Sequence, residues 1–295
     1  MGVTSRFRPV VVGLDGSPSS TAAFQAAVGE AHRRLRPLRI VRVLPPGSAP
    51  QPAAVQELEE LRGTAAKTVR SGTVDLAVRA GPADLVLADE SHTAALLVLA
   101  ASPVSGEPPG GFPPAAATLV RTAGCPLLLH RPAADASSGV VVGGDGSPGT
   151  ADVIAAAAFE ACLRSATLAV VVTDGDPSTR RRAERRVADL RAAYPSVPVE
   201  LRSAATALPT ALVAASRGAG LVVVGRTGDR TGSTCDTATT VAARAGCPVL
   251  VVPSAGSARL PDRGAARRSA VALTSSADQD DPGHRLAPQR RERRR

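Results

Sequence analysis

Val140-Val141-Val142-Gly143-Gly144-Asp145-Gly146-Ser147-Pro148 restates, 130 residues later, the stretch Val10-Val11-Val12-Gly13-Leu14-Asp15-Gly16-Ser17-Pro18. Each copy also closes alike: Gly124-Cys125-Pro126-Leu127-Leu128-Leu129, then Gly246-Cys247-Pro248-Val249-Leu250-Val251, 122 residues apart. The period is that of a whole globular domain, far longer than the repeat unit of a solenoid. The chain therefore holds one domain twice.

Within each copy, short apolar runs alternate with amphipathic stretches. In copy one the runs Pro9 to Leu14, Leu38 to Leu44, Thr73 to Arg79, Ala95 to Leu99 and Pro126 to His130 predict strands. Helices are expected from Ser17 to about Arg34, from Val55 to Arg70, from Gly81-Pro82 to about His92, and over Ala115 to Ala123. In copy two, strands are expected at 139–144, 166–172, 197–201, 221–224 and 248–252, with helices at about 150–164, 178–193, 209–217 and 237–245. Continuous apolar strands alternating with helices imply a parallel sheet, right-handed crossovers and helices on both faces. The expected fold is α/β: two tandem Rossmann-like domains, each a five-stranded parallel sheet. Domain 1 spans 1–132 and domain 2 spans 138–254; 255–295 reads as a disordered basic tail rich in Ser, Ala, Pro and Arg.

The chain has 295 residues, is 44% hydrophobic and carries only 2% aromatics, so its cores must be built from Val, Leu, Ile and Ala. No run of about 18 apolar residues offers a membrane span, and the N-terminus lacks a secretory core, so the expected compartment is the cytoplasm with no membrane partner. The net charge of +9 suggests nucleic acid until it is located: beyond Pro253 stand ten arginines and five acids. A solvated tail accounts for +5 of the +9 and leaves +4 on the two domains, which argues against a nucleic-acid partner. Cys125, Cys162, Cys235 and Cys247 show no metal spacing, and Cys125 and Cys247 read as small core residues.

The opening Val-Val-Gly-x-Asp-Gly-Ser-Pro, the segment Ala219-Gly220-Leu221-Val222-Val223-Val224-Gly225-Arg226-Thr227-Gly228 and the closing Gly-Cys-Pro resemble the universal stress protein family in its tandem form. The resemblance covers about Pro9 to Pro253. It implies five parallel strands per domain, pairing of two such domains within the chain, and a stress-response regulatory role; it leaves open a homodimer and an unidentified protein partner. Some members of the family bind ATP.

Ligands of open α/β sheets bind beyond the carboxyl ends of strands where the strand order reverses. The resemblance thus places Asp145 at the ribose or adenine end, Val171 beside the base, and Gly225, Gly228, Gly232 and Ser233 at the phosphates. Glycines let a backbone approach phosphate, and N–H groups at a helix start donate to it. Departures are evident. The family's Gly-x-x-Gly is followed by nine residues and Gly-Ser or Gly-Thr, whereas only three separate Gly228 from Gly232, and Cys235-Asp236 stands at the counted position. Arg226 and Arg230 are placed to offset Asp236. In copy one, Ala100 and Pro103 replace Gly225 and Gly228, and Pro113-Pro114 replaces Gly-Ser. Proline has no N–H to donate. ATP is therefore expected in domain 2 only.

No dedicated enzyme emerges. The sole lysine, Lys67, follows Ala66, which excludes a Walker A loop; HExxH and Gly-x-Ser-x-Gly are absent. No metal site is expected. The alternative reading is a nucleotide-free scaffold that binds partners through its paired domains. An enzyme of the wider adenine-nucleotide α-hydrolase group is disfavoured by the missing SGGxD loop.

Overall fold

The computed structural model describes residues 8–101, 113–132, 139–144, 149–174, 177–226 and 237–253. Copy one supplies β1 (Val10–Leu14), α1 (Pro18–Arg34), β2 (Leu38–Leu44), α2 (Pro52–Ala66), β3 (Val74–Ala80), α3 (Ala83–Ser91), β4 (Leu96–Ala100), α4 (Pro114–Thr122) and β5 (Leu127–His130). Copy two repeats the series with β6 (Val140–Gly143), α5 (Thr150–Leu163), β7 (Leu168–Thr173), α6 (Pro177–Ala193), β8 (Val199–Ala204), α7 (Leu208–Ala215), β9 (Leu221–Gly225), α8 (Thr237–Arg244) and β10 (Val249–Val252).

The two copies share one ten-stranded sheet, in the order β3-β2-β1-β4-β5-β10-β9-β6-β7-β8. Each half is parallel and has the same internal order. The halves join through one antiparallel pair, β5 with β10, in the register Leu127↔Val251, Leu128↔Leu250 and Leu129↔Val249. The sequence periodicity gave the two five-stranded sheets; their fusion edge to edge is what the structure adds.

Alternation along buried strands divides the core into two layers. Val10, Val12, Val140 and Val142 face α1, α2, α5 and α6. Val11 and Val141 face the opposite layer, where α3, α4, α7 and α8 contribute Leu87, Leu119, Leu212 and Val241. Each layer runs through both copies. With full burial of a Val or Leu side chain stabilising by roughly 1.5–3 kcal/mol, these layers hold the halves together as well as each half internally.

Copy-specific details repeat too. Both α1 and α5 are followed by a non-glycine residue in the left-handed region, Leu35 at φ 51° and Ser165 at φ 50°. In each closing phrase the glycine N–H is held by a serine at the end of the third helical segment of its copy: Gly124 N donates to Ser91 Oγ and Gly246 N to Ser216 Oγ, both at 2.8 Å. Those hydroxyls donate onward to Ala88 O and Val213 O. Cys125 and Cys247 are buried core residues, as expected.

Some boundaries differ from the sequence reading. β8 starts at Val199 and runs to Ala204, about two residues later than expected, because Val197 N is used in a turn to Tyr194 O and Pro198 has no donor for the ladder. It is an edge strand with exposed Glu200 and Arg202, so its alternation is muted and its charges blunt the open edge. α2 begins at Pro52, where proline's fixed φ suits a first turn, and ends at Ala66. α7 stops at Ala215 and passes into a single 3-10 turn, Ser216–Gly218. The expected tail, 255–295, lies outside the described residues.

Candidate functional site

In copy two the strand order reverses at β6, which lies between β7 and β9. Val171 and Gly225 therefore flank the carboxyl end of β6 from opposite sides, with Gly143 and Gly144 between them. Asp145, Gly228, Gly232 and Ser233 lie outside the described residues, as do Arg230 and Asp236.

Val171 is 5% exposed and its side chain belongs to the second core layer. Its carbonyl accepts from Gly144 N at 2.8 Å. Gly225 closes β9, and a Cβ built on it would stand 2.5 Å from Val153 Cγ2. This glycine is thus required by packing against α5, a reason independent of any ligand. Arg226 Nη1 crosses to copy one and donates to Ala123 O at 2.8 Å. Copy one returns the contact: Arg131 Nη1 donates to Ala245 O at 2.7 Å, and Nη2 donates to Ala242 O. Each half thus lays an arginine on the carbonyl end of a helix of the other, α4 or α8, where the helix dipole favours a cation.

The equivalent place in copy one is more fully described. Asp15 Oδ1 accepts from Ser17 N at 2.8 Å, and Ser17 Oγ caps Ser20 N at 3.3 Å. Partial burial would raise the Asp15 carboxyl, but the hydrogen bonds from Ser17 outweigh it and hold it below the ordinary aspartate range. Gly16 has φ 83°, a left-handed conformation, and the Arg42 guanidinium lies against its Cα. Arg42 Nε is buried with no hydrogen-bond partner among the described residues.

Strand register makes the two places comparable position by position. Val10 pairs Leu38 as Val140 pairs Leu168, so Arg42 corresponds to Val172 and Leu14 to Gly144. At the carboxyl ends, copy one offers Leu14, Arg42 and Ala100; copy two offers Gly144, Val172 and Gly225. Copy two is emptier and uncharged at these three points. One vacancy is reclaimed, since Val153 fills the space at Gly225 while its copy-one counterpart is Ala23. The exchanged arginine caps and the Arg42 plug were missed by motif reading; the Arg42/Val172 difference is legible once the second strands are aligned.

Among the described residues, no helix is long and apolar enough to cross a membrane. The universal stress protein family model matches residues 6–131, which is copy one. Universal stress protein Rv2624c of Mycobacterium tuberculosis strain H37Rv is 28% identical over 210 residues, spanning 65% of this chain and 76% of that protein, and so reaches across both copies. Among solved structures, a universal stress protein from Archaeoglobus fulgidus DSM 4304 aligns with TM-score 0.65 at 13% identity, covering 84% of this chain and 99% of its own. A Pseudomonas aeruginosa UCBPP-PA14 protein described under the same family name aligns with TM-score 0.61 at 19% identity, covering 91% and 98%. These two likenesses concern the fold. With a matched first copy, a second copy of identical strand order, and a relative that spans both, residues 6–131 match the universal stress protein family and the chain as a whole resembles that family's tandem, two-domain form.

Proposed function

We propose that this chain is a stress-response regulatory protein, not a dedicated enzyme, that binds ATP in copy two only. The observation that carries the reading is the contrast at the carboxyl ends of the strands: Leu14 and Arg42 in copy one against Gly144 and Val172 in copy two. An adenine ring needs a flat apolar recess, and in copy one a guanidinium lies against the β1–α1 turn beside that place. The sequence adds Asp145 at the ribose or adenine end and Gly228, Gly232 and Ser233 toward the phosphates. ATP would order the stretch 225–236 and so change the surface that a partner meets, by favouring one population of the protein over another.

The test is calorimetric titration of the full chain with ATP, alongside native mass spectrometry of freshly purified protein. The expected stoichiometry is one nucleotide per chain, with binding lost in Asp145→Ala and kept in Asp15→Ala. Two nucleotides per chain, or loss on Asp15→Ala, would overturn the assignment to copy two.

A second reading has its own observation. Val153 already fills the space opened by Gly225, and Arg226 is engaged at Ala123 O, so two features of a phosphate loop serve packing instead. In that reading the chain is a nucleotide-free scaffold that meets protein partners through its paired halves, from a cytoplasmic location. A flat ATP titration on folded protein selects it.

A further inference from the structure

In the layer formed by α1, α2, α5 and α6, the two central helices α1 and α5 meet at four charged residues. Glu30 and Arg34 stand one turn apart on α1, and Glu160 and Arg164 one turn apart on α5. Each pair is bridged within its helix. Each is also bridged to the other: Arg34 Nη2 to Glu160 Oε1, and Arg164 Nη2 to Glu30 Oε1 at 2.5 Å. The carboxylates are almost wholly enclosed, with Glu30 2% and Glu160 5% exposed. Glu160 and Arg164 are Glu30 and Arg34 displaced by the repeat distance, so exchanging the copies leaves this set of contacts unchanged. Such reciprocity is the mark of a two-fold, self-complementary interface.

The neighbouring strand pair cannot set the alignment of the halves unaided. β5 and β10 are apolar along the paired stretch, Leu127–Leu129 against Val249–Val251, and buried on both faces. A one-residue slip would exchange one buried apolar face for another, so hydrophobic pattern specifies this register weakly. Two buried carboxylates, each held by the partly buried Arg34 and Arg164, specify it strongly, because each carboxylate needs a cation in one place and leaving it buried and unpaired is costly.

We propose that Glu30, Arg34, Glu160 and Arg164 are a pairing code: they decide which half docks on which, and the face that bears them accepts any half carrying the same Glu–Arg pair, including the like half of a second copy of this chain. Reversing the code in one half therefore redirects pairing. In E30R/R34E the pair within α1 survives, but across the junction like charges meet. Copy one then matches only copy one of another molecule, and copy two only copy two.

Native mass spectrometry of the full chain reads this out, with backbone hydrogen exchange over Leu127–Leu129 and Val249–Val251 confirming that the junction strands stay paired. E30R/R34E is expected to contain twice as many chains per particle as the unsubstituted protein at matched concentration. The four-residue exchange E30R/R34E/E160R/R164E is expected to restore the original particle. An unchanged particle in E30R/R34E overturns the proposal, as does a doubled particle that the four-residue exchange fails to reverse. Should E30R/R34E not fold, the four-residue variant decides: a folded particle of original size supports the code, and a second failure to fold overturns it. Neither result depends on whether nucleotide binds.

Discussion

Val153 of α5 occupies the space that a side chain on Gly225 of β9 would need. In copy one the same two positions are Ala23 and Ala100, so side-chain bulk is shared between helix and strand there and concentrated on the helix in copy two, with the two totals differing by about one methylene. Gly225→Ala should therefore destabilise the protein by about 1–3 kcal/mol through overpacking. The double variant Val153→Ala/Gly225→Ala, which reproduces the copy-one pairing, should recover most of that loss. Urea unfolding of both variants checks it; a double variant no more stable than the single one would mean that Gly225 is held by something other than Val153.

Acid should weaken the protein through Glu160. Burial would raise its carboxyl, but Arg34 and Arg164 outweigh burial and hold it below the ordinary glutamate value. A carboxyl lowered on folding contributes stability that is fully present above its unfolded value, about 4.3, and is lost as pH falls through the folded one. Asp15 acts in the same direction. Glu160→Gln should cost about 3 kcal/mol at neutral pH, since it leaves the largely enclosed Arg34 and the partly exposed Arg164 short of a counter-charge. Its unfolding free energy should also fall less steeply with acid. Denaturant titrations at pH 7, 5 and 3.5 measure both effects.

The serine clasps on the closing phrases should be unequal in value. Ser91→Ala leaves the Gly124 N–H buried without an acceptor, a loss of about 1–3 kcal/mol. Gly246 is only partly buried, so water can replace the hydroxyl in Ser216→Ala and the loss there should be smaller. Thermal unfolding of the two variants ranks them. Equal losses would show that the hydroxyls act through their own bonds to Ala88 O and Val213 O instead.

Cys125 and Cys247 should be inert in the folded protein. Burial pushes the Cys125 thiol up to about 12 and the Cys247 thiol to about 11, the latter despite the opposing pull of Arg131. The reactive thiolate is thus scarce at neutral pH. Alkylation by iodoacetamide, followed by peptide mass spectrometry, should modify both more than about 100-fold more slowly in native buffer than in urea. Fast labelling of either in native buffer would mean that its core layer opens readily.

Most of the fold was legible because burial on both faces writes continuous apolar runs into strands such as Val10–Leu14 and Leu221–Gly225. β8 was misplaced because an edge strand obeys one face only, and Glu200 and Arg202 interrupt its pattern. The fusion of the halves was not legible from periodicity, since nothing in Leu127–Leu129 distinguishes an outer neighbour from an inner one. Its charged seam was on view in the sequence, as Glu30/Arg34 and Glu160/Arg164 at the repeat distance, but identity at two positions of a helix has no meaning until the helices are seen to meet. At the candidate site, Gly225 illustrates the reverse difficulty. A glycine kept for a neighbour's side chain and a glycine kept for a phosphate look alike in one dimension.

Arg33 reaches Glu30 at 2.7 Å, whereas α5 has Leu163 at the matching position and no such contact can recur there. In an assembly of two identical chains, any change beside the axis confronts its own duplicate, so its cost or benefit is counted twice. Holding both partners on one polypeptide removes that constraint. Residues around the seam are free to drift separately, and one member can specialise while the other merely supports it.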